Sequence, residues 1–204
     1  NTTAALALSR PSGTPSPPSP SRKRYATPGL NTRSIQPFIT AGGIPHQSVW
    51  TTTMRNGCRF AAVGKSPLTG AAGESEAAGF FGPELKKAGF DAVVFRGRSE
   101  TPVYLWVTEG RAEIRDAAAI ARQGAREAED AIRAELGSDR IRVAQTGLAG
   151  MNRVRFANIT NNLGHFNGRN GFGAVMGSKN LRAVAALVAG ELEYRDPDFL
   201  RKTA

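Results

Sequence analysis

GFGAVMGSKNLRAVAALVAG, Gly171 to Gly190, is the stretch on which the reading of this chain turns, together with GHFNGRNG, Gly164 to Gly171, just before it. The two segments crowd Gly164, Gly168, Gly171, Gly173 and Gly177 into one window, with Arg169, Lys179 and Arg182 close by in sequence. Glycine lets a backbone approach a ligand closely, because no Cβ stands in the way. Exposed amides and cations suit an anion such as phosphate. The window therefore reads as a cradle for a large phosphorylated ligand, built from turns, and the apolar run Arg182 to Val188 after it as a β-strand. A set of tight turns between strands is the plainer reading of the same glycines.

Working back towards the N-terminus, a series of short strands comes into view. Ile35–Ile39, Cys58–Val63, Ala92–Arg96, Ile141–Thr146 and Val154–Ile159 have strand character, and SPLTG (Ser66 to Gly70) ends the second of them as a turn. Val103–Thr108 and Ala112–Arg115 flank Glu109–Gly110 as a hairpin. Ala71–Gly82 reads as a small-residue loop, and Pro83–Ala88 as a short helix with proline at its start and Gly89 past its end. Gly124–Leu136 has the apolar spacing of an amphipathic helix, closed by Gly137. Strands that come singly, in pairs and between helices predict α+β rather than a doubly wound sheet.

At 204 residues the chain can hold one ordinary domain and a tail. SRPSGTPSPPSPSRKR, Ser9 to Arg24, is too polar and too rich in proline to form a core, so 1–34 is expected to be a disordered tail. The ordered domain is expected over 35–190, and the polar segment 191–204 as the start of a further, truncated helical domain. Short apolar runs predict no membrane span, and the expected location is cytoplasmic. The net charge of +10 raises nucleic acid as a partner, but much of the charge lies in the tail or alternates with acids, so none is expected. The single cysteine, Cys58, excludes a disulfide within the chain and an all-cysteine cluster built from it, leaving a buried structural thiol. Trp50, Trp106, Phe80 and Phe81 are expected in the core, and Lys65 and Lys179 in solvent or paired with acids near turns.

Six motifs occur in one order at domain spacing. They are KSPLTG (Lys65 to Gly70), GFFGPELKKAGFDAVVFRG (Gly79 to Gly97), PVYLW (Pro102 to Trp106), the Gly147–Asn152 turn, RFANITN (Arg155 to Asn161) and GRNGFGAVMGSKNLRAV (Gly168 to Val184). Together they resemble the N-terminal domain of the tungsten-dependent aldehyde ferredoxin oxidoreductase family, from about Arg59 to Gly190. The resemblance implies a fold of two β-sheets with a few helices. It also implies a tungsten ion, or a molybdenum analogue, held by two pterins whose phosphates share a magnesium ion. Full-length members add helical domains that carry a [4Fe–4S] cluster, with ferredoxin or a similar carrier as electron acceptor and a small aldehyde or oxo-acid as substrate. A homo-oligomer or electron-transfer subunits fit the same resemblance.

The matched motifs also imply which residues meet the cofactor. Arg59 corresponds to a pterin-contacting arginine. Ser75 to Gly79 correspond to one pterin loop, with Glu76, Ala77, Ala78 and Gly79 as its cofactor contacts, and His165, Phe166, Asn167, Gly168 and Arg169 to the other. Glu76 and Phe166 are the expected magnesium contacts, through main-chain carbonyls. No catalytic residue is expected in this chain. Glu76 stands where aldehyde-oxidising members carry Asn, Ala78 where they carry Gly, and His-Phe-Asn where Arg-Ala-Ala is common, as in a divergent branch. Before Arg59 there is only AGGIPHQSVWTTTMRNG (Ala41 to Gly57), with no second PLTG-type turn. A non-catalytic phosphate- or nucleotide-binding module is the alternative reading of the same glycines.

Overall fold

A computed structural model describes residues 5–9, 49–53, 58–90 and 92–188. The first sheet is made of β1 (Ala5–Ser9), β2 (Val49–Thr53), β3 (Arg59–Lys65), β4 (Ala72–Ala78) and β5 (Ala92–Arg96), in the order β1-β5-β2-β3-β4. All of its pairings are antiparallel. The second is made of β6 (Val103–Thr108), β7 (Arg111–Asp116), β8 (Arg142–Thr146), β9 (Ile159–Asn161), β10 (His165–Asn167) and β11 (Leu181–Ala186), in the order β10-β9-β8-β11-β6-β7. Only β6 and β11 run parallel in it. Among the described residues there are also four α-helices, α1 (Phe81–Lys87), α2 (Ala125–Leu136), α3 (Leu148–Met151) and α4 (Phe172–Ser178), and a short 3-10 helix, Ala118–Ile120. The expected α+β fold of two sheets and a few helices is the one observed.

Two apolar clusters hold the layers together. The larger draws Phe60, Val93 and Phe95 from the first sheet, Leu105, Ile159 and Val184 from the second, and Phe81, Leu85, Phe172 and Met176 from α1 and α4. Phe60 and Phe81 meet edge-to-face at 5.0 Å. The smaller cluster seats α2 on the other face of the second sheet, with Ala128 and Ile132 against Tyr104, Val143, Ala183 and Ala185. β11 is buried along its whole length because both clusters use it. A strand covered on both faces reads as a continuous apolar run, and Leu181–Ala186 has that character except at Arg182.

Burial explains where the sequence expectations fail. Ala71–Gly82 is not a loop: Ala72–Ala78 pairs residue for residue with β3. Its inward residues are Ser75 and Ala77, too small and polar to show a strand's alternation. Val154–Ile159 is not a strand. Residues 154–158 are turns with Arg155 and Phe156 exposed, and pairing starts only at Ile159. Gly147–Asn152 closes into α3, and Gly171–Gly177 contains α4 rather than turns. Phe172, Val175 and Met176 give α4 its core-facing stripe at i, i+3 and i+4.

The tail expected over 1–34 contains an ordered piece, since Ala5–Ser9 forms β1 against β5. Apolar Ala5–Leu8 can extend a sheet edge whatever the proline-rich sequence after it does. Ile35–Ile39, Asp91 and 191–204 lie outside the described residues, as does the side chain of Trp50. Cys58 is exposed rather than a buried thiol, and Phe80, at 59% exposure, is not in the core. Among the described residues no helix is long and apolar enough to cross a membrane.

Lys179 is the largest departure in burial. It is 5% exposed, and its ammonium donates to Gly97 O at 3.2 Å. Burial pushes its pKa down to about 8 from the usual 10.5. The unfolded chain therefore holds a proton between pH 8 and 10.5 that the folded chain does not. The charging penalty is complete below pH 8 and is relieved as pH climbs through 8 towards 10.5. Stability should rise over that window by on the order of 2–3 kcal/mol. Lys179→Met, whose loss leaves only an exposed carbonyl to rehydrate, should abolish the slope between pH 8 and 10 and raise the melting temperature at pH 7. Parallel slopes for the two proteins in denaturation against pH would refute this.

Candidate functional site

The two loops expected to share a ligand meet edge to edge. β4 is the last strand of the first sheet and β10 the last of the second, and they pack against each other. An open sheet edge exposes unpaired carbonyls, and here asparagines cover them. Asn170 Nδ2 donates to Glu74 O at 2.9 Å, Asn167 Nδ2 to Ser75 O at 2.6 Å, and Asn161 Nδ2 to Ala78 O at 3.1 Å. Two more bonds close the seam: Arg169 N donates to Ser75 Oγ at 3.2 Å, and Phe80 N to Asn162 Oδ1 at 3.0 Å.

Each expected residue has a definite place. Arg59 and Glu76 lie diagonally on the exposed face of β3 and β4, with Arg59 Nη1 4.0 Å from Glu76 Oε2. At 52% and 37% side-chain exposure such a pair contributes little, so Arg59 can exchange its partner at small cost. Ala77 points into the core, 3% exposed, and can meet a ligand only through its backbone. Ala78 is opposite Arg59 in the ladder. Gly79 has φ 111°, and a Cβ there would run into Asn161 Oδ1 and stand 3.0 Å from His165 Cδ2. Glycine at 79 is thus demanded by the seam itself. His165, Phe166, Gly168 and Arg169 are exposed, while the Asn167 side chain is fully buried.

The glycine window divides in two. Added Cβ atoms at Gly164 and Gly168 would meet no close protein atom. At Gly171 the Cβ would strike Arg155 O, at Gly173 Asn158 O, and at Gly177 Gly150 O. These last three serve the packing of α4 and face no ligand, so the surface available as a cradle ends near Asn170. Lys179 and Arg182, whose nearness in sequence made them candidate cations for it, are both buried elsewhere. The α4 stripe turns that half of the window inward.

Several residues of the seam were not singled out in the sequence. Asn161, Asn162 and Asn170 make its bonds together with Ser75 of the expected pterin loop, and the signal for the three asparagines is the density of asparagine in 158–170. Asn162 and Leu163 both take left-handed backbone, φ 49° and 53°, in the tight turn between β9 and β10. For a bulky residue such as Leu163 that is unusual and marks local strain.

The polar chemistry of the seam is incomplete in a telling way. Asn161 Oδ1, Asn167 Oδ1 and Thr160 Oγ1 are buried with no hydrogen-bond partner. A buried unsatisfied acceptor costs about 1–3 kcal/mol, and these three belong to the neighbouring strands β9 and β10. The seam therefore has buried acceptors inside, the guanidinium groups of Arg59 and Arg169 and the imidazole of His165 outside, and open space over Gly164 and Gly168. That donor set suits a flat, amide-rich, anionic group such as a pterin phosphate. Among the described residues no cluster of three His, Cys, Asp or Glu side chains could hold a metal; the contacts expected at Glu76 and Phe166 are main-chain carbonyls.

The profile of the family described as "Aldehyde ferredoxin oxidoreductase, N-terminal domain" matches residues 36–187. A tungsten-containing aldehyde ferredoxin oxidoreductase of Pyrococcus furiosus is 47% identical over 134 residues, 66% of this chain and 22% of that protein. An aliphatic sulfonate oxidoreductase, WOR-like subunit, of the same organism is 37% identical over 149 residues, 67% of this chain and 24% of that protein. Among solved structures, the active site complex BamBC of benzoyl coenzyme A reductase, in complex with 1,5-dienoyl-CoA, superposes with a TM-score of 0.67 at 37% identity. That match covers 71% of this chain and 23% of that one. The chain thus spans about a quarter of the length of the relatives it matches.

Proposed function

The chain belongs to the aldehyde ferredoxin oxidoreductase family, matching its N-terminal domain, and on that premise we propose that the seam between β4 and β10 holds a tungsten or molybdenum bis-pterin cofactor. The whole protein would be an oxidoreductase acting on an aldehyde or oxo group. When bound, the cofactor supplies two-electron redox chemistry at its metal. The chain's residues bind and orient it. Arg59, His165 and Arg169 offset phosphate charge from the exposed side. The backbones of Glu76–Gly79 and His165–Arg169 would flank it, and the carbonyls of Glu76 and Phe166 would hold the magnesium ion. The [4Fe–4S] cluster, the ferredoxin-type acceptor and the small aldehyde or oxo-acid substrate belong to this proposal for the whole protein.

The observation that carries the proposal is the juxtaposition itself. Two loops about ninety residues apart in sequence meet at two sheet edges, with unsatisfied acceptors between them. Arg59→Ala in the full-length protein should lower bound tungsten or molybdenum and the fluorescent oxidised pterin released on denaturation, at unchanged melting temperature of the metal-free form. Unchanged metal and pterin occupancy would sink the assignment of Arg59. Metal-free wild-type protein with affinity for nucleotides would replace the whole proposal by a non-catalytic phosphate-binding module.

A further inference from the structure

A cavity lies beside Lys179, the residue that caps the C-terminal end of α4, where the chain passes from β5 to β6. Its volume is about 40 Å³, and Lys179 forms part of its wall. The loop Gly97–Pro102 is fastened there: Ser99 N donates to Lys179 O at 3.0 Å and Asn180 Nδ2 to Ser99 O at 2.6 Å. Phe95, Leu105 and Leu181 give the cavity an apolar floor, and Arg96 and Ser99 are among its polar lining. Among the described residues that line it none is acidic. Among the described residues the ammonium of Lys179 has one carbonyl partner for its three N–H bonds and no carboxylate in an ion pair with it.

An ammonium desolvated without a counter-charge is costly to keep. Water entering the cavity would satisfy donors but not the charge. Inorganic phosphate would bring two charges and a hydration shell into an apolar lining. A small anion with an apolar tail meets both demands at once. We propose that this cavity is a binding subsite for a short monocarboxylate, of roughly two to four carbons given its volume. The carboxylate pairs with the Lys179 ammonium, and the alkyl tail lies against Phe95, Leu105 and Leu181. Nothing in this site depends on the cofactor seam.

Sodium propionate is the probe, with sodium chloride at equal ionic strength and neutral propionamide as controls. In the full chain carrying ¹³C-labelled lysine, propionate should move the Lys179 titration midpoint saturably upward, by about one unit or more. Propionamide should leave it in place. Propionate should also raise the melting temperature of the wild type but not of Lys179→Met. An identical midpoint in propionate and chloride overturns the proposal, as does a thermal shift that persists in Lys179→Met. The wild-type resonance decides the matter by itself should that variant fail to fold.

Discussion

Arg182→Met is expected to cost the fold about 4 kcal/mol in chemical denaturation, a large fraction of a domain's usual margin. Arg182 is fully buried in the middle of the second sheet. Among the described residues its guanidinium has no carboxylate partner. Nε donates to Ile120 O at 3.2 Å, Nη2 to Gln123 O at 3.2 Å and Gly124 O at 3.3 Å, and Nη1 to Gln145 Oε1 at 2.8 Å and to Thr146 O. Burial pushes its pKa down to about 10, so holding the charge there is itself unfavourable. The side chain earns its place by satisfying the carbonyls of the 120–124 connection to α2, which β-ladders do not reach. Methionine fills similar space but takes a donor away from Gln145 Oε1, Thr146 O and Gln123 O, while Ile120 O and Gly124 O keep the N–H groups of Gln123 and Ala128; each buried acceptor left bare costs about 1–3 kcal/mol. The effect spreads, because Gln145 also donates to Ala125 O at 2.7 Å and to Glu129 Oε2 at 3.4 Å, and Arg133 pairs with Glu129. Burial raises the Glu129 pKa and Arg133 opposes that rise. Arg182→Lys should recover only part of the loss, since one ammonium cannot span so many acceptors. A Met variant within about 0.5 kcal/mol of wild type would show that water replaces the guanidinium.

Gly177→Ala should destabilise by about 3 kcal/mol, lowering the melting temperature by roughly 10 °C. α3 and α4 cross with backbone on backbone. The Cβ of an alanine at 177 would overlap Gly150 O, and one at Gly150 would stand 2.6 Å from Gly173 O and against Thr146 Oγ1. Both sides of the contact are main chain, so no flexible side chain can yield, and the helices must separate. Separation would also pull Phe172 and Met176 out of the larger core cluster. Gly168→Ala is the matched control, because its Cβ would meet nothing within 4 Å. It should leave stability within about 0.5 kcal/mol of wild type. If both substitutions proved neutral, the close crossing of α3 and α4 would be wrong. Should Gly168→Ala lower pterin occupancy without touching stability, the open space over Gly168 would be assigned to ligand.

Both substitutions fall in the stretch that opened the reading, and they show how far the sequence reached. The glycines of 164–177 were legible as places where backbone comes close to something. What it comes close to was not, since a glycine facing a pterin and one facing another helix have the same sequence signature. Phe172, Val175 and Met176 at helical spacing were the available hint that the second half turns inward.

The sequence by itself determined the fold class, the family and the two short runs that form the seam, because local alternation, turn residues and motif order are properties of neighbouring residues. It determined the hairpin Val103–Asp116 and the helix Ala125–Leu136 almost to the residue for the same reason. Only the tertiary structure decided that β4 is a strand, since its inward Ser75 and Ala77 acquire meaning from what covers them. It alone decided that Lys179 and Arg182 leave the cradle for the interior and that asparagines stitch one sheet edge to the other. Burial and long-range hydrogen bonds set those outcomes, and both depend on partners far away in the chain.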